Sequence, residues 1–354
     1  MRSGTSWSSI AAVLLAFSLG DARETVTIVD SAGRRLQVPR PVRRMVVLNT
    51  DAAEVICALG GEEAIVGVSE FVAESEFLRK LGDRPSVGRW NSPSYERIVE
   101  LEPEVVIAYG RHPGAELEEK LEPAGIKVAR IDCYKIGTLL QDVEALGRML
   151  GREEEAEELI GFYRKYLKMV KQRLERIRPE DRIRVYVESY TELTSVAEGS
   201  GGHEICSEAG GINIAGGEPV PYPKVSPEWV LEQNPQVIVK AVSSSSVPFG
   251  YGGGDVEMLE ALRRDIMNRP GWEEMDAVRK GRVYLISSEI WAGPRAVVGI
   301  AYMAKWFYPE VFEDLDPEAI HREYLERFLG LEYKGAFVWP EWSGKSTPSS
   351  SSGR

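Results

Sequence analysis

Two stretches decide the fold: Ser94-Tyr-Glu96-Arg-Ile-Val-Glu100-Leu-Glu-Pro103-Glu-Val105-Val-Ile and Ser226-Pro-Glu228-Trp-Val-Leu-Glu232-Gln-Asn-Pro235-Gln-Val237-Ile-Val. Each opens on a serine able to cap a helix, carries an acid in the first helical turn, and passes through a proline into a short apolar run. Ser, both Glu, Pro and Val coincide, so each stretch spells a short helix followed by a buried strand. Upstream, in the same order, Glu54-Val-Ile-Cys-Ala-Leu-Gly60-Gly61 resembles Glu204-Ile-Cys-Ser-Glu-Ala-Gly210-Gly211. Two matches in register mark an internal repeat, and a repeat of this length predicts two similar lobes.

Outward from these stretches, strands and helices alternate. Val26 to Val29 and Leu36 to Val38 flank turn residues and predict a hairpin. Strands are expected at 44–48, 64–68, 105–108 and 127–131, with helices at 51–59, 95–101 and 117–121. Apolar residues then recur every three or four positions from Leu139 to Leu150 and from Ala156 to Ile177, with Gly151 between them. That pattern predicts two connecting helices, the second about 26 residues and ~39 Å long, ending before Pro179. The alternation resumes with strands at 185–188, 237–239 and 283–286. The fold class is therefore α/β, with two doubly wound Rossmann-like lobes joined by a long rigid α-helix and a ligand cleft between the lobes. The predicted boundaries are an N-terminal lobe at 23–135, connecting helices at 136–178, a C-terminal lobe at 179–330, and a C-terminal extension at 331–354 with a Ser-rich disordered tail.

The 354 residues are 43% hydrophobic and 28% charged, which suits a globular chain of two domains. A formal net charge of -12 argues against nucleic acid or an anionic membrane face as partner, and favours a basic partner surface. Residues 1–22 carry Arg2, an apolar run from Ile10 to Leu19 and then small and polar residues, the layout of a secretory signal. The chain is expected to be extracytoplasmic, periplasmic or at the cell surface, with the signal either cleaved or kept as an anchor. Cys57, Cys133 and Cys206 are far apart in apolar segments and predict core residues rather than a disulfide framework.

Five landmarks in order, Val87-Gly88, the Ser94 stretch, the long connecting helix, Gly210-Gly-Ile-Asn-Ile and Val225-Ser-Pro-Glu-Trp-Val-Leu, resemble the helical-backbone class of periplasmic binding proteins that capture cobalamin, ferric siderophores or haem. The resemblance spans roughly Arg44 to Pro309. It implies the substrate-binding subunit of an ABC importer, a monomer that is not an enzyme, needs no cofactor, and hands a metal chelate to a permease dimer with its ATPase subunits. It also implies permease docking through one glutamate per lobe, here Glu96 and Glu228, a role favoured by their recurrence in both lobes and compatible with each also stabilising its helix start.

For the ligand, the resemblance points to loops at strand ends, with Trp90, Tyr109, Arg111, Glu198, His203, Tyr222, Trp291 and Arg295 as candidates. Trp90 stands in a polar loop with little core to join, and suits stacking on a macrocycle or catecholate. Arg111 and Arg295 suit carboxylate or phenolate oxygens, or else surface ion pairs. Tyr222 lies between two prolines and reads more as a rigid packing element than as a ligand contact.

Other motifs fall short. His112, His203 and His321 lack metal-ligand spacing, so capture of a bare metal ion is disfavoured. Ser343-Gly-Lys-Ser346 lacks the first glycine and leading strand of a phosphate loop. Gly250-Tyr-Gly252-Gly-Gly254-Asp255 ends on Asp rather than the last glycine of a dinucleotide loop and predicts a mobile loop. Glu198-Gly199-Ser200-Gly201 lacks the leading glycine of a nucleophile elbow. The alternatives are a secreted or membrane-associated α/β metal-cluster oxidoreductase, which three scattered cysteines serve poorly, and a sensor that binds a chelate and signals.

Overall fold

The computed structural model describes residues 23–341. The expected signal segment 1–22, the Ser343–Ser346 motif and the Ser-rich tail lie outside the described residues.

The repeat read from sequence is a repeat of topology. In the first lobe the sheet runs Ile65–Val68, Met45–Val47, Val105–Ala108, Lys127–Arg130, all parallel. In the second it runs Ile212–Asn213, Arg184–Glu188, Val237–Val242, Val283–Ser287, again parallel, followed by Val338–Trp339 antiparallel at the edge. Both lobes thus start in the middle of the sheet, step to one edge, and return past the first strand. The quoted stretches form equivalent helices, Tyr95–Glu100 and Pro227–Gln233. Ser94 accepts a hydrogen bond from the Arg97 amide at 3.3 Å, and Ser226 from the Trp229 amide at 3.1 Å. The other matched pair forms the helices Thr50–Ala58 and Gly201–Glu208.

Successive residues of each strand face opposite sides of the sheet. Met45, Val47, Val105 and Ile107 point one way, and Val46, Val106 and Val128 the other, against the helices Tyr95–Glu100 and Glu116–Leu121. The inner faces of both lobes share one continuous core with the connecting helices Ile136–Leu150 and Glu153–Leu174 and with the wholly buried helix Ala296–Phe307. Gly151, with φ of 66°, ends the first connecting helix, and Glu153 to Glu155 fill the first turn of the second. That second helix has 22 residues rather than the expected 26 or so. It is ~33 Å long. Its end tightens into a turn, with the Ile177 amide bonded to the Leu174 carbonyl at 3.0 Å, because the approach to Pro179 disfavours further α-helix.

Two segments differ from expectation. The glycine-rich stretch near Gly250 is not a free loop but forms the strands Phe249–Tyr251 and Gly253–Gly254, the former paired with Gly335–Ala336. A Cβ on Gly335 would stand 2.0 Å from the Gly250 carbonyl oxygen, so the close pairing requires glycine. Consequently residues 331–341, set apart as an extension, contribute strands to the second lobe through Gly335–Ala336 and Val338–Trp339. The three cysteines are buried and free.

Candidate functional site: an aromatic cleft between the lobes

The carboxyl ends of both sheets face one another, and the loops leaving them carry the aromatic residues. A cavity of about 440 Å³ is lined by Tyr134 from the first lobe and by Tyr190, Thr191, Tyr222, Trp291 and Ala292 from the second. Tyr109 stands beside Tyr134 in this wall without lining the cavity itself. Its ring lies 5.8 Å from that of Tyr134 and 5.4 Å from that of Trp90, both edge-on, and Trp90 in turn meets His112 at 5.8 Å. Tyr190 and Tyr222 stand about half exposed, at 49% and 54%, although large rings normally seek burial. Trp291 forms the floor. Its indole covers Gly202 so closely that a Cβ there would fall 2.1 Å from the ring.

At the root of the cleft, Asp51 accepts a hydrogen bond from the Tyr109 hydroxyl at 2.6 Å. Burial is the main cause that pushes the Asp51 carboxyl up to about 6, against the opposing pull of that bond and of Arg295. Asp51 also stands where a Cβ on Gly293 would come within 2.5 Å, and the Gly293 amide donates to the Tyr134 carbonyl at 3.2 Å. The lobes are therefore in direct contact beneath the cavity.

The sequence-expected site residues divide into two groups. Tyr222 and Trp291 line the cavity, whereas Tyr109 and Trp90 reach it only through edge-on contacts to Tyr134 and to each other, and Trp90, expected to have little core to join, packs partly against the first-lobe core. Arg111 and Glu198 are exposed in loops at strand ends. His203 is held by Asn213 at 3.1 Å and Ser207 at 3.4 Å, and does not line the cavity. Arg295 is 5% exposed, and its guanidinium is spent on Glu54 at 3.2 and 3.3 Å and on Glu289 at 2.8 Å, with its face 3.9 Å from the Phe77 ring centre. It joins the lobes instead of pointing into the cleft. Sequence reasoning missed Tyr134 and Tyr190. Both lie in loops that leave strand ends, those of Lys127–Arg130 and Arg184–Glu188, and the rule that ligand loops leave the carboxyl ends of strands points to them. Glu96 and Glu228 are exposed at the starts of their equivalent helices. Each carboxyl is held below the usual range by backbone amides at its helix start and by the capping serine.

Two Rossmann-type lobes on a helical bridge, with an aromatic cleft where their strand ends meet, define a solute-binding clamp. The chain belongs to the periplasmic binding protein family, whose model matches residues 45–290. Relatives include the molybdate-binding protein MolA of Haemophilus influenzae, 24% identical with 92% of this chain and 96% of that protein covered. Another is a vitamin B12-binding protein of Vibrio cholerae, 27% identical over 71% of this chain and 91% of that protein. Among solved structures, the TroA-like periplasmic binding protein FepB of Veillonella parvula superposes with a TM-score of 0.74 and 26% identity, covering 88% of this chain and 99% of that one. The chain is accordingly the substrate-binding component of an ABC transporter, working with permease and ATPase components. Its relatives are solute-binding proteins and not enzymes, which leaves the oxidoreductase alternative without support.

Proposed function

We propose that this chain is an extracytoplasmic, monomeric binding subunit of an importer for a metal chelate: a ferric siderophore, a corrinoid or haem. One observation carries this reading, the cavity lined by Tyr134 of the first lobe and by Tyr190, Tyr222 and Trp291 of the second, with Tyr109 edge-on to Tyr134 and Trp90 edge-on to Tyr109. Aromatic faces and edges suit a flat macrocycle or catecholate ring, and half-exposed rings become buried when such a ligand enters. Arg111 at the rim offers a bidentate contact for a ligand carboxylate or phenolate, and Glu198 borders the opposite loop. A small oxyanion such as molybdate fits less well, because Asp51 occupies the root of the cleft and Arg295 is already matched by two carboxylates. Glu96 and Glu228, at equivalent outer positions of the two lobes, are the proposed contacts with basic residues of a two-fold permease.

The test is absorbance and native mass spectrometry of protein purified from its own host, followed by titration with cyanocobalamin, haemin, ferric catecholate and molybdate. Binding of one chelate at micromolar concentration or tighter is the expected result. No detectable binding of any chelate, or tight binding of molybdate alone, would overturn the chelate reading.

A further inference from the structure

Lys240 is out of place by every local rule. It lies within Val237–Val242, a central strand whose residues are all buried, and is itself 6% exposed. Placing an ammonium there costs free energy that a valine would not, and burial lowers its pKa accordingly. Its three N–H bonds are all used. One meets Glu188 at 3.0 Å, and the others donate to the carbonyls of Ser189 at 2.5 Å and Tyr190 at 3.1 Å. Glu188 is the residue directly across the ladder from Lys240 and is held on its far side by Arg269 at 2.7 and 3.0 Å. The carbonyls belong to the next two residues, where the chain leaves the sheet and turns into the cleft.

The first lobe repeats the device with a different residue on a different strand. Arg130 is 4% exposed and lies across the ladder from Ala108, the last residue of its strand. Its guanidinium donates to the carbonyls of Tyr109 at 2.9 Å, Pro113 at 2.6 Å and Gly114 at 3.0 Å, and its remaining donors hold Glu118 at 2.8 and 2.5 Å. Those carbonyls root the loop that carries Tyr109, Arg111 and His112. The two strands are not counterparts in the repeat, since the strand equivalent to Val237–Val242 is Val105–Ala108. Common descent of the lobes therefore does not account for the likeness.

We propose that Lys240 and Arg130 are positioning residues: each pins the backbone from which a wall tyrosine, Tyr190 or Tyr109, enters the cleft, so that the wall is shaped before ligand arrives. A wall that is already ordered loses little freedom on binding, whereas a loosened one must be ordered by the ligand at the expense of affinity. The inference rests on the cleft as ligand site, but its first readout does not need the ligand.

The experiment compares wild type, Lys240→Met, Tyr190→Ala and the double variant, with 3-fluorotyrosine placed at position 190 where the tyrosine is kept. Methionine keeps the length and loses the donors, while Glu188 keeps Arg269 as partner. The fluorine resonance of wild type should be single and sharp, and that of Lys240→Met broadened or split. Affinity for whichever of cyanocobalamin, haemin, ferric catecholate or molybdate binds wild type should fall roughly three- to tenfold in Lys240→Met. In the Tyr190→Ala background the same change should have no further effect. An unchanged resonance with unchanged affinity, or a Lys240→Met effect that multiplies fully with Tyr190→Ala, would overturn the proposal. If none of the four probes binds wild type, the ligand reading fails and the fluorine spectrum alone decides this one. Should Lys240→Met not fold, Arg130→Lys replaces it. It keeps the charge but reaches fewer carbonyls, and must broaden a fluorotyrosine at 109 for the inference to stand.

Discussion

Arg295 and Glu54, 241 residues apart in sequence, meet beneath the cleft, with Nε 3.2 Å and Nη2 3.3 Å from the two carboxylate oxygens. Glu54 belongs to the first lobe and Arg295 to the second, and Tyr324 donates to the same carboxylate at 2.9 Å. Removing the cation leaves Glu54 buried with no charge to balance it. Arg295→Met is therefore expected to cost about 3 to 5 kcal/mol of stability, and Arg295→Met with Glu54→Leu distinctly less than that. Urea denaturation of both variants checks this; equal losses would show that the pair is not the source.

Asp51 gives a pH dependence whose sign is fixed by its raised pKa. Its carboxyl titrates near 6 when folded against an ordinary value of 3.8. A group raised in the folded state contributes stability that is fully present below the lower value and is lost as pH rises through the upper one. Glu54, pushed up to about 7 chiefly by burial, acts in the same direction. The melting temperature of wild type relative to Asp51→Asn should therefore fall between pH 4 and pH 6. A difference that stays flat or rises over that interval would contradict the assignment.

Gly202 is required by Trp291. Gly202→Ala places a methyl 2.1 Å from the indole and forces the cleft floor to move. The expected cost is about 1 to 3 kcal/mol, with weakened ligand binding, measured by thermal melts and titration. Wild-type values for both would mean that Trp291 is not fixed there.

Closure on ligand should be small. The lobes share one continuous core with two connecting helices, and Arg295 with Glu54 and the Gly293 amide with the Tyr134 carbonyl tie them below the cavity. Small-angle scattering with and without ligand should give nearly the same radius of gyration. A compaction of several ångströms would show a wide hinge instead.

Glu96 and Glu228 are exposed, and their local role is limited to the helix start. Replacing both with Ala should leave ligand affinity unchanged and move stability by no more than about 1 kcal/mol, while uptake in a reconstituted transporter falls sharply. Uptake at the wild-type rate with saturated binding protein would remove the docking role.

The lobes were legible because their signals are local. Ser94 and Ser226 cap helices three residues on, Pro103 and Pro235 punctuate, and apolar runs mark strands whatever surrounds them. Tyr222 lines the cavity although its flanking prolines favoured a packing role, and Trp90, whose polar loop suggested little core to join, packs partly against the first-lobe core. Arg295 was not, because its partners Glu54 and Tyr324 come near only through the tertiary fold, and a buried interlobe arginine and a ligand-binding one look alike in sequence. Lys240 was hidden for the same reason, since the carbonyls it holds belong to the loop leaving a neighbouring strand, 50 and 51 residues away.

The proposed function requires that ligand be held by the aromatic residues between the lobes. The measurement that decides it is calorimetric titration of wild type and the Tyr190→Ala, Tyr222→Ala double variant with the chelate that wild type binds. Wild type should bind at micromolar concentration or tighter and the variant roughly tenfold or more weakly, with the fold retained. Equal affinity in the two proteins would place the ligand elsewhere and contradict it.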